Sequence, residues 1–431
     1  MQTFWLLLYN IIAVPFMWIA FRILALQNAK IRKGIEGRKS LFDKLESELK
    51  KFPENKPRFW IHNSSMGEFE QAKPLIRELK NRLPHCVILV TFFSPSGKEY
   101  VKDDHGADIL SYMPFDTYLR ARRFVALMKP NAAIVIRHEF WPNHLCALKR
   151  EGIPSVLINA SIRHEHTFRY PFILSVYRFL FGCFDAALSV SQETIDIINK
   201  YRLCHGTAEV AGDTRYDQVV QRARDAEPVV APLRQFKGRR SCFVAGSTWP
   251  SDEAVLFPAL VRLKDRGLLP WVILVPHEPT EEHLEQAEKT LHKSGFSTLR
   301  FSDIGKKDAA GCDILLVDRI GLLASLYALG ELAFVGGGFG PGVHQVLEPA
   351  AFGLAVFYGP RSTNSYEASQ LQKRGVGFVV RDTDALSNQL IRFFQNPKQM
   401  ENLGQKAAAI VKENLGASQR IVTCLEQMLS S

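Results

Sequence analysis

The chain lacks most of the short motifs that announce a cofactor. No G-x-G-x-x-G follows a first strand, no P-loop is present and no G-x-S-x-G elbow occurs, so a dehydrogenase, an ATPase and an α/β-hydrolase lose their usual supports. The seven cysteines (Cys86, Cys146, Cys183, Cys204, Cys242, Cys312 and Cys424) include no C-x-x-C pair and lie mostly inside apolar runs. They suit a reducing compartment and offer no structural zinc. Asp382-Thr383-Asp384 has the D-x-D form of metal-dependent sugar transferases but opens a helical pattern, where it reads as a cap. His164-x-His166 has no carboxylate or cysteine at usable spacing. Internal repeats and low-complexity segments are absent as well.

What is present is an ordinary globular composition, 46% hydrophobic and 23% charged, in 431 residues. That length exceeds one ordinary core, and two domains are expected. The formal charge of +10 is uneven: from Met1 to Trp60 eleven Lys/Arg stand against five Asp/Glu. Phe4–Leu26 is a 23-residue apolar run broken by Asn10, Pro15 and Arg22, long enough to span a bilayer. Arg22, Lys30, Arg32, Lys33, Arg38 and Lys39 follow it, so the positive-inside rule puts the remainder on the cytoplasmic side, its basic segment against anionic headgroups.

From Arg58 to Asp217 apolar strand-like runs alternate with helical patterns, at Phe59–His62, Cys86–Phe92, Asp108–Tyr112, Ala132–Ile136, Ser155–Ala160, Ala186–Val190 and Ala208–Ala211. A second series follows at Cys242–Ala245, Trp271–Val275, Asp313–Val317, Leu332–Val335, Leu354–Tyr358 and Gly377–Val380. Both are βαβ grammar and predict two doubly wound, Rossmann-like α/β domains. The charged Val219–Arg240, with its two prolines, is expected to connect them. The chain thus divides into an anchor helix at 1–27, a first domain at 28–218, a linker at 219–240 and a second domain at 241–431. Ligands of open α/β sheets bind at the carboxyl ends of the strands, so chemistry is sought there, in a cleft between the domains.

Several strand ends carry candidates. Ser65-Met66-Gly67-Glu68 is an S-x-x-E capping box, and Glu68 is also a carboxylate able to take a proton from a hydroxyl; the residues alone leave both readings open. Glu139 in Arg137-His138-Glu139-Phe140-Trp141-Pro142 stands at the mouth of another strand, and Arg163 and Arg215 follow two more as planar forks for a phosphate or carboxylate. In the second half, Ser251 suits an N-cap, leaving Ser247 and Thr248 to donate to a phosphate, and His277 follows the next strand. Gly336, Gly337 and Gly338 join a strand to the short helix around Glu348, a turn whose backbone N–H groups suit an anion.

Together these motifs resemble the 3-deoxy-D-manno-oct-2-ulosonic acid (Kdo) transferases of lipopolysaccharide synthesis. The resemblance runs over nearly the whole chain: the apolar helix and basic segment, Ser65–Glu68, Glu139-Phe140-Trp141-Pro142, Ala245-Gly246-Ser247-Thr248, Pro276-His277 and Leu347-Glu348-Pro349-Ala350-Ala351-Phe352-Gly353. It implies a GT-B glycosyltransferase, inverting and without a bound catalytic metal or other cofactor, moving Kdo from CMP-Kdo to a lipid A precursor. It implies that Glu68 is the general base, and that Ser247, Thr248, His277 and the stretch from Gly336 through His344 and Gln345 to Glu348 hold the donor. Ser65, Glu139, Arg163 and Arg215 are then polar groups of the acceptor side. The implied partners are CMP-Kdo, the lipid precursor and the cytoplasmic membrane surface, not nucleic acid. The alternatives are another GT-B sugar-nucleotide enzyme, such as an epimerase, or a non-catalytic tethered binding protein. The chain departs from the family pattern in Gln345, where many members have Asn, in Arg137, where they have a carboxylate, and in the single His277 where an Arg-His pair is usual.

Overall fold

The computed structural model describes residues 2–95, 97, 106–137, 139–162, 164–305 and 311–430. These form two compact units, Met1–Gln218 with Leu415–Ser431, and Val219–Asn414. Each is built on a seven-stranded sheet whose pairings are parallel.

In the first unit the strands are β1 (Arg58–Asn63), β2 (Val87–Phe92), β3 (Ile109–Tyr112), β4 (Ala132–Ile136), β5 (Ser155–Ala160), β6 (Ala186–Ser189) and β7 (Thr207–Val210). Their order is β3-β2-β1-β4-β5-β6-β7. The central strands β1, β2, β4 and β5 are buried along their whole length, as expected of apolar runs covered on both faces by helices. The second unit has β8 (Cys242–Thr248), β9 (Trp271–Pro276), β10 (Thr298–Arg300), β11 (Ile314–Leu316), β12 (Leu332–Val335), β13 (Ala355–Tyr358) and β14 (Gly377–Val379), ordered β10-β11-β9-β8-β12-β13-β14. The order reverses beside β1 and β4 in one sheet and beside β8 and β12 in the other. Switch points are where crossover helices leave opposite faces and open a crevice at the strand ends. The turns after these four strands are the richest motifs of the sequence.

Two boundaries differ from expectation. Residues 219–240 are not an irregular linker: they continue the helix Thr214–Arg224 and form short helices at Glu227–Val230 and Arg234–Lys237. Val230 and Leu233 are buried against Cys242 and Val244, so this segment belongs to the second unit's core. Conversely, the last helix, Ala417–Ser430, belongs to the first unit. Ile421, Val422 and Leu425 pack with Phe59 and Ile61 of β1, and the Asp217 carboxylate accepts from the N–H groups of Gly416 and Ser418 at 2.8 Å each.

The apolar N-terminal run is one helix with a wider π turn at Tyr9–Ala13, just ahead of Pro15. Proline has no N–H for the helix ladder and its ring crowds the preceding turn, which a π turn relieves. The helix does not stand clear of the protein. Trp5 Nε1 donates to Ser175 Oγ (2.9 Å), the Tyr9 hydroxyl donates to buried Asp116 (2.8 Å), and the amides of Asn10 and Asn143 pair reciprocally at 2.9 and 3.0 Å. Further along, the Phe21 ring meets Phe93 and Phe115 edge-on. The opposite face, with Ile11, Phe16, Ile19 and Ile23, is exposed. Thr3–Gln27 is long and apolar enough to cross a membrane by length and composition, yet one of its faces is occupied by the first unit.

Candidate functional site

In the first unit, β1 runs into Asn63-Ser64-Ser65 and the helix Met66–Arg82. The expected pairing of Ser65 with Glu68 is replaced by one with Ser64. The Ser65 side chain makes no capping bond, whereas Glu68 Oε2 accepts from the Ser64 N–H (2.5 Å) and hydroxyl (2.8 Å). Among the described residues Glu68 Oε1 has no partner. One oxygen is held and the other is left to accept a proton.

Glu139 enters from the end of β4. Its Oε2 accepts from Trp141 Nε1 (3.1 Å) and lies 3.7 Å from His62 Nε2. Burial alone raises its pKa, but the neighbouring His62, with Ser64 and Trp141, outweighs that and holds it below the usual carboxylate value. His62 is oriented from behind: Thr91 Oγ1 accepts from Trp60 Nε1 (2.8 Å), which leaves its own hydrogen for His62 Nδ1 at 2.9 Å and puts the ring's N–H at Nε2, toward Glu139. The Trp141 ring stacks on Phe93 at 4.6 Å.

Two strand ends here have left-handed backbones, Arg137 (φ 61°) and Asn159 (φ 52°), unusual for residues other than glycine and common at functional sites. Both are tied to Gln71, whose Oε1 accepts from Arg137 Nε (3.0 Å) and Asn159 Nδ2 (2.9 Å). Arg137, where the family pattern has a carboxylate, therefore braces β4 to the helix after β1. Arg215 forks onto Asp213, with Nη2 to Oδ2 at 2.5 Å, so its carboxylate partner is two residues away in its own chain. Arg163 lies outside the described residues.

In the second unit, the turn expected to cradle an anion is filled by the protein itself. The buried Asp252 carboxylate accepts from the N–H groups of Gly337 (2.7 Å), Phe339 (3.1 Å) and Trp249 (2.9 Å). Asp252 is therefore the side chain that caps the helix Pro250–Asp265, in place of Ser251. The amide of Gly336 donates to Gly246, those of Gly340 and Gly342 to Gly337, and that of His344 to Gly336. The glycines are needed for approach. A Cβ on Gly336 would lie 2.2 Å from the Ser247 carbonyl oxygen, and one on Gly338 2.4 Å from the Gly359 nitrogen.

Two further candidates are turned inward. The fully buried Thr248 hydroxyl donates to Glu253 (2.8 Å), which also meets His283 Nε2 at 3.0 Å. Gln345 Oε1 accepts from the Leu347 N–H (3.3 Å) and so caps the five-residue helix Leu347–Ala351, and Glu348 pairs with Arg222 at 2.5 Å. Ser247 remains open: at φ 53° it bulges the carboxyl end of β8, and its hydroxyl has no partner among the described residues.

His277 and His344 come together with a residue that sequence reasoning passed over. Trp249, His277 and His344 form a ring stack, with centroids 4.7 Å apart between Trp249 and His277 and 4.2 Å between the histidines. Trp249 Nε1 donates to His344 Nε2 at 2.9 Å, which leaves the His344 proton at Nδ1. Burial first, and then the neighbouring His277, push the His344 pKa down to about 4. Trp249 stood in the motif after β8 with the signal of an indole donor, but only the fold brings it to a histidine 95 residues away.

A family model described as 3-deoxy-D-manno-octulosonic-acid transferase (kdotransferase) matches residues 39–218. The 3-deoxy-D-manno-octulosonic acid transferase of Aquifex aeolicus (strain VF5) is 29% identical over 348 residues, 79% of this chain and 87% of that protein. A probable mitochondrial 3-deoxy-D-manno-octulosonic acid transferase of Arabidopsis thaliana is 30% identical over 70% of this chain and 68% of its own length. Among solved structures, the UDP-GlcNAc 2-epimerase of Neisseria meningitidis bound to UDP-GlcNAc superposes with a TM-score of 0.59 at 12% identity, over 86% of this chain and all of that one. That likeness is one of fold, and the class is GT-B, as expected.

Proposed function

The chain belongs to the 3-deoxy-D-manno-octulosonic acid transferase family and is a glycosyltransferase, and we propose that it moves Kdo from CMP-Kdo to a hydroxyl of a lipid A precursor. The observation that carries the mechanism is Glu68, one oxygen held by Ser64 and the other open. The acceptor hydroxyl gives its proton to Glu68 Oε1 as its oxygen attacks the anomeric carbon. The bond from that carbon to the CMP phosphate oxygen breaks, and CMP leaves with the electron pair. Attack opposite the leaving group inverts the centre, and no metal is required in this scheme. Glu139, charged at neutral pH, faces His62 and accepts the Trp141 indole N–H. On the donor side, the open Ser247 hydroxyl and the His277 and His344 rings offer hydrogen bonds to the nucleotide and the leaving phosphate.

The N-terminal helix, apolar on its exposed face, is read as the attachment to the inner membrane, with both units on the cytoplasmic side. Incubation with CMP-Kdo and lipid A precursor, products resolved by mass, tests the assignment. The expected result is an acceptor heavier by whole Kdo units with CMP released in step. Turnover of UDP-sugars in place of CMP-Kdo, or tight CMP binding without product, overturns it.

A further inference from the structure

Beside the N-terminal helix the first unit has a cavity of about 560 Å³, within the range of ligand pockets. It lies among the helices Val14–Gln27, Ala29–Glu36, Leu41–Leu49 and Tyr118–Met128. Its apolar lining includes Trp18, Phe21, Phe42, Phe115 and Leu119, the last 75% exposed. Arg22, Lys39, Arg120 and Arg123 also line it, and all four are exposed.

These four cations have no ion-pair partner among the described residues. Arg22 lies over the Trp18 ring at 4.7 Å and Arg123 over Phe42 at 4.4 Å; stacking leaves their charge in place, and Arg123 also feels the carboxylate of Glu46 at a distance longer than an ion pair. The one carboxylate in the lining is Asp43. Arg38, which also lines the cavity, is engaged elsewhere: it donates to the carbonyls of Met113, Gly34 and Phe93.

An apolar hollow ringed by four cations against one lining carboxylate, Asp43, matches one kind of molecule. A free phosphate satisfies the cations and leaves the aromatic surface in water; a neutral lipid does the reverse. We propose that this cavity seats an anionic phospholipid of the membrane, its phosphate among Arg22, Lys39, Arg120 and Arg123 and an acyl chain against Phe21, Phe42 and Phe115. The lipid enters from the side, because Trp18 and Arg22 lie on the exposed face of the N-terminal helix. This rests on reading that helix as membrane-bound.

The test is co-sedimentation of the full-length protein with phosphatidylcholine vesicles, with and without phosphatidylglycerol. Arg123→Glu and Arg122→Glu carry the same charge change on the same helix, but only Arg123 lines the cavity. Arg123→Glu removes one positive charge and adds a negative one, so at about 1 kcal/mol per interfacial charge it is expected to weaken binding to phosphatidylglycerol vesicles roughly thirtyfold, with little change on phosphatidylcholine alone. Arg122→Glu is expected to do much less, and millimolar inorganic phosphate not to compete. Equal losses from the two variants, or competition by phosphate, overturn the seat in favour of diffuse attraction or a free-anion site. Kdo transfer to a detergent-dispersed acceptor is unchanged in both variants. Its absence in the wild type would count against the function and leave the vesicle result standing.

Discussion

The turn after β1 and the turn after β12 exchange the roles their sequences suggest. The S-x-x-E turn looks like a helix cap, yet it holds a carboxylate with one oxygen open beside buried polar atoms that make no hydrogen bond among the described residues: both side-chain atoms of Asn63, and His62 Nε2, which faces Glu139 at 3.7 Å. The triple glycine looks like an anion cradle, yet Asp252 already occupies it. A glycine run is compatible with a phosphate or with an internal carboxylate, since both are anions offered to the same N–H groups. Only a residue distant in sequence decides which.

Substitutions break this comparison at either end. Glu68→Gln should lower kcat by about 10²–10⁴-fold, the usual worth of a general base, with an unchanged unfolding midpoint; near-normal turnover would show that the open oxygen is idle. Asp252→Ala should do the converse, costing about 3–5 kcal/mol because three backbone N–H groups lose a buried acceptor. Denaturant unfolding reads it, and a loss below 1 kcal/mol would reopen the loop as a ligand cradle. Gly336→Ala, whose methyl would meet the Ser247 carbonyl, should cost about 1–3 kcal/mol by the same measurement. Ser247→Ala should weaken CMP binding in calorimetry while stability stays within about 0.5 kcal/mol.

The smallest expected effect is on pH dependence. His344 has its folded pKa pushed down to about 4 from 6.5. Between those values the unfolded chain binds a proton that the folded one refuses, so its contribution is complete above 6.5 and is lost as pH falls toward 4. His283 is raised, chiefly by its hydrogen bond to Glu253. It therefore stabilises below 6.5 and loses that contribution as pH rises through its folded value. His344→Gln should flatten the acid limb of a urea-midpoint profile and His283→Gln the alkaline limb. Identical profiles for the two variants would refute the opposed assignments.

Much of the architecture was legible because parallel strands buried on both faces leave unbroken apolar runs. Thirteen of the fourteen strands among the described residues were anticipated; the exception is β10 at Thr298–Arg300, an outermost strand of its sheet with only Leu299 buried. Glu68, Glu139, Ser247 and His277 were legible as polar residues at the ends of those runs. The direction of each side chain was not. Thr248 and Ser247 are neighbours with the same chemistry, and a left-handed residue at Ser247 sends them to opposite fates. Nor was the destination of the last helix legible, since Ile421 and Leu425 would suit either sheet and the ion pair of Arg82 with Glu426 spans 344 residues.

The pairing of Asn10 with Asn143 also sets an order of events during synthesis. The amides are 133 residues apart, and at ribosomal rates of about 5–20 residues per second the second is made roughly 7 to 27 seconds after the first. Through that interval the apolar helix exists without the polar surface that later receives it. It therefore meets its surroundings before it meets its own domain.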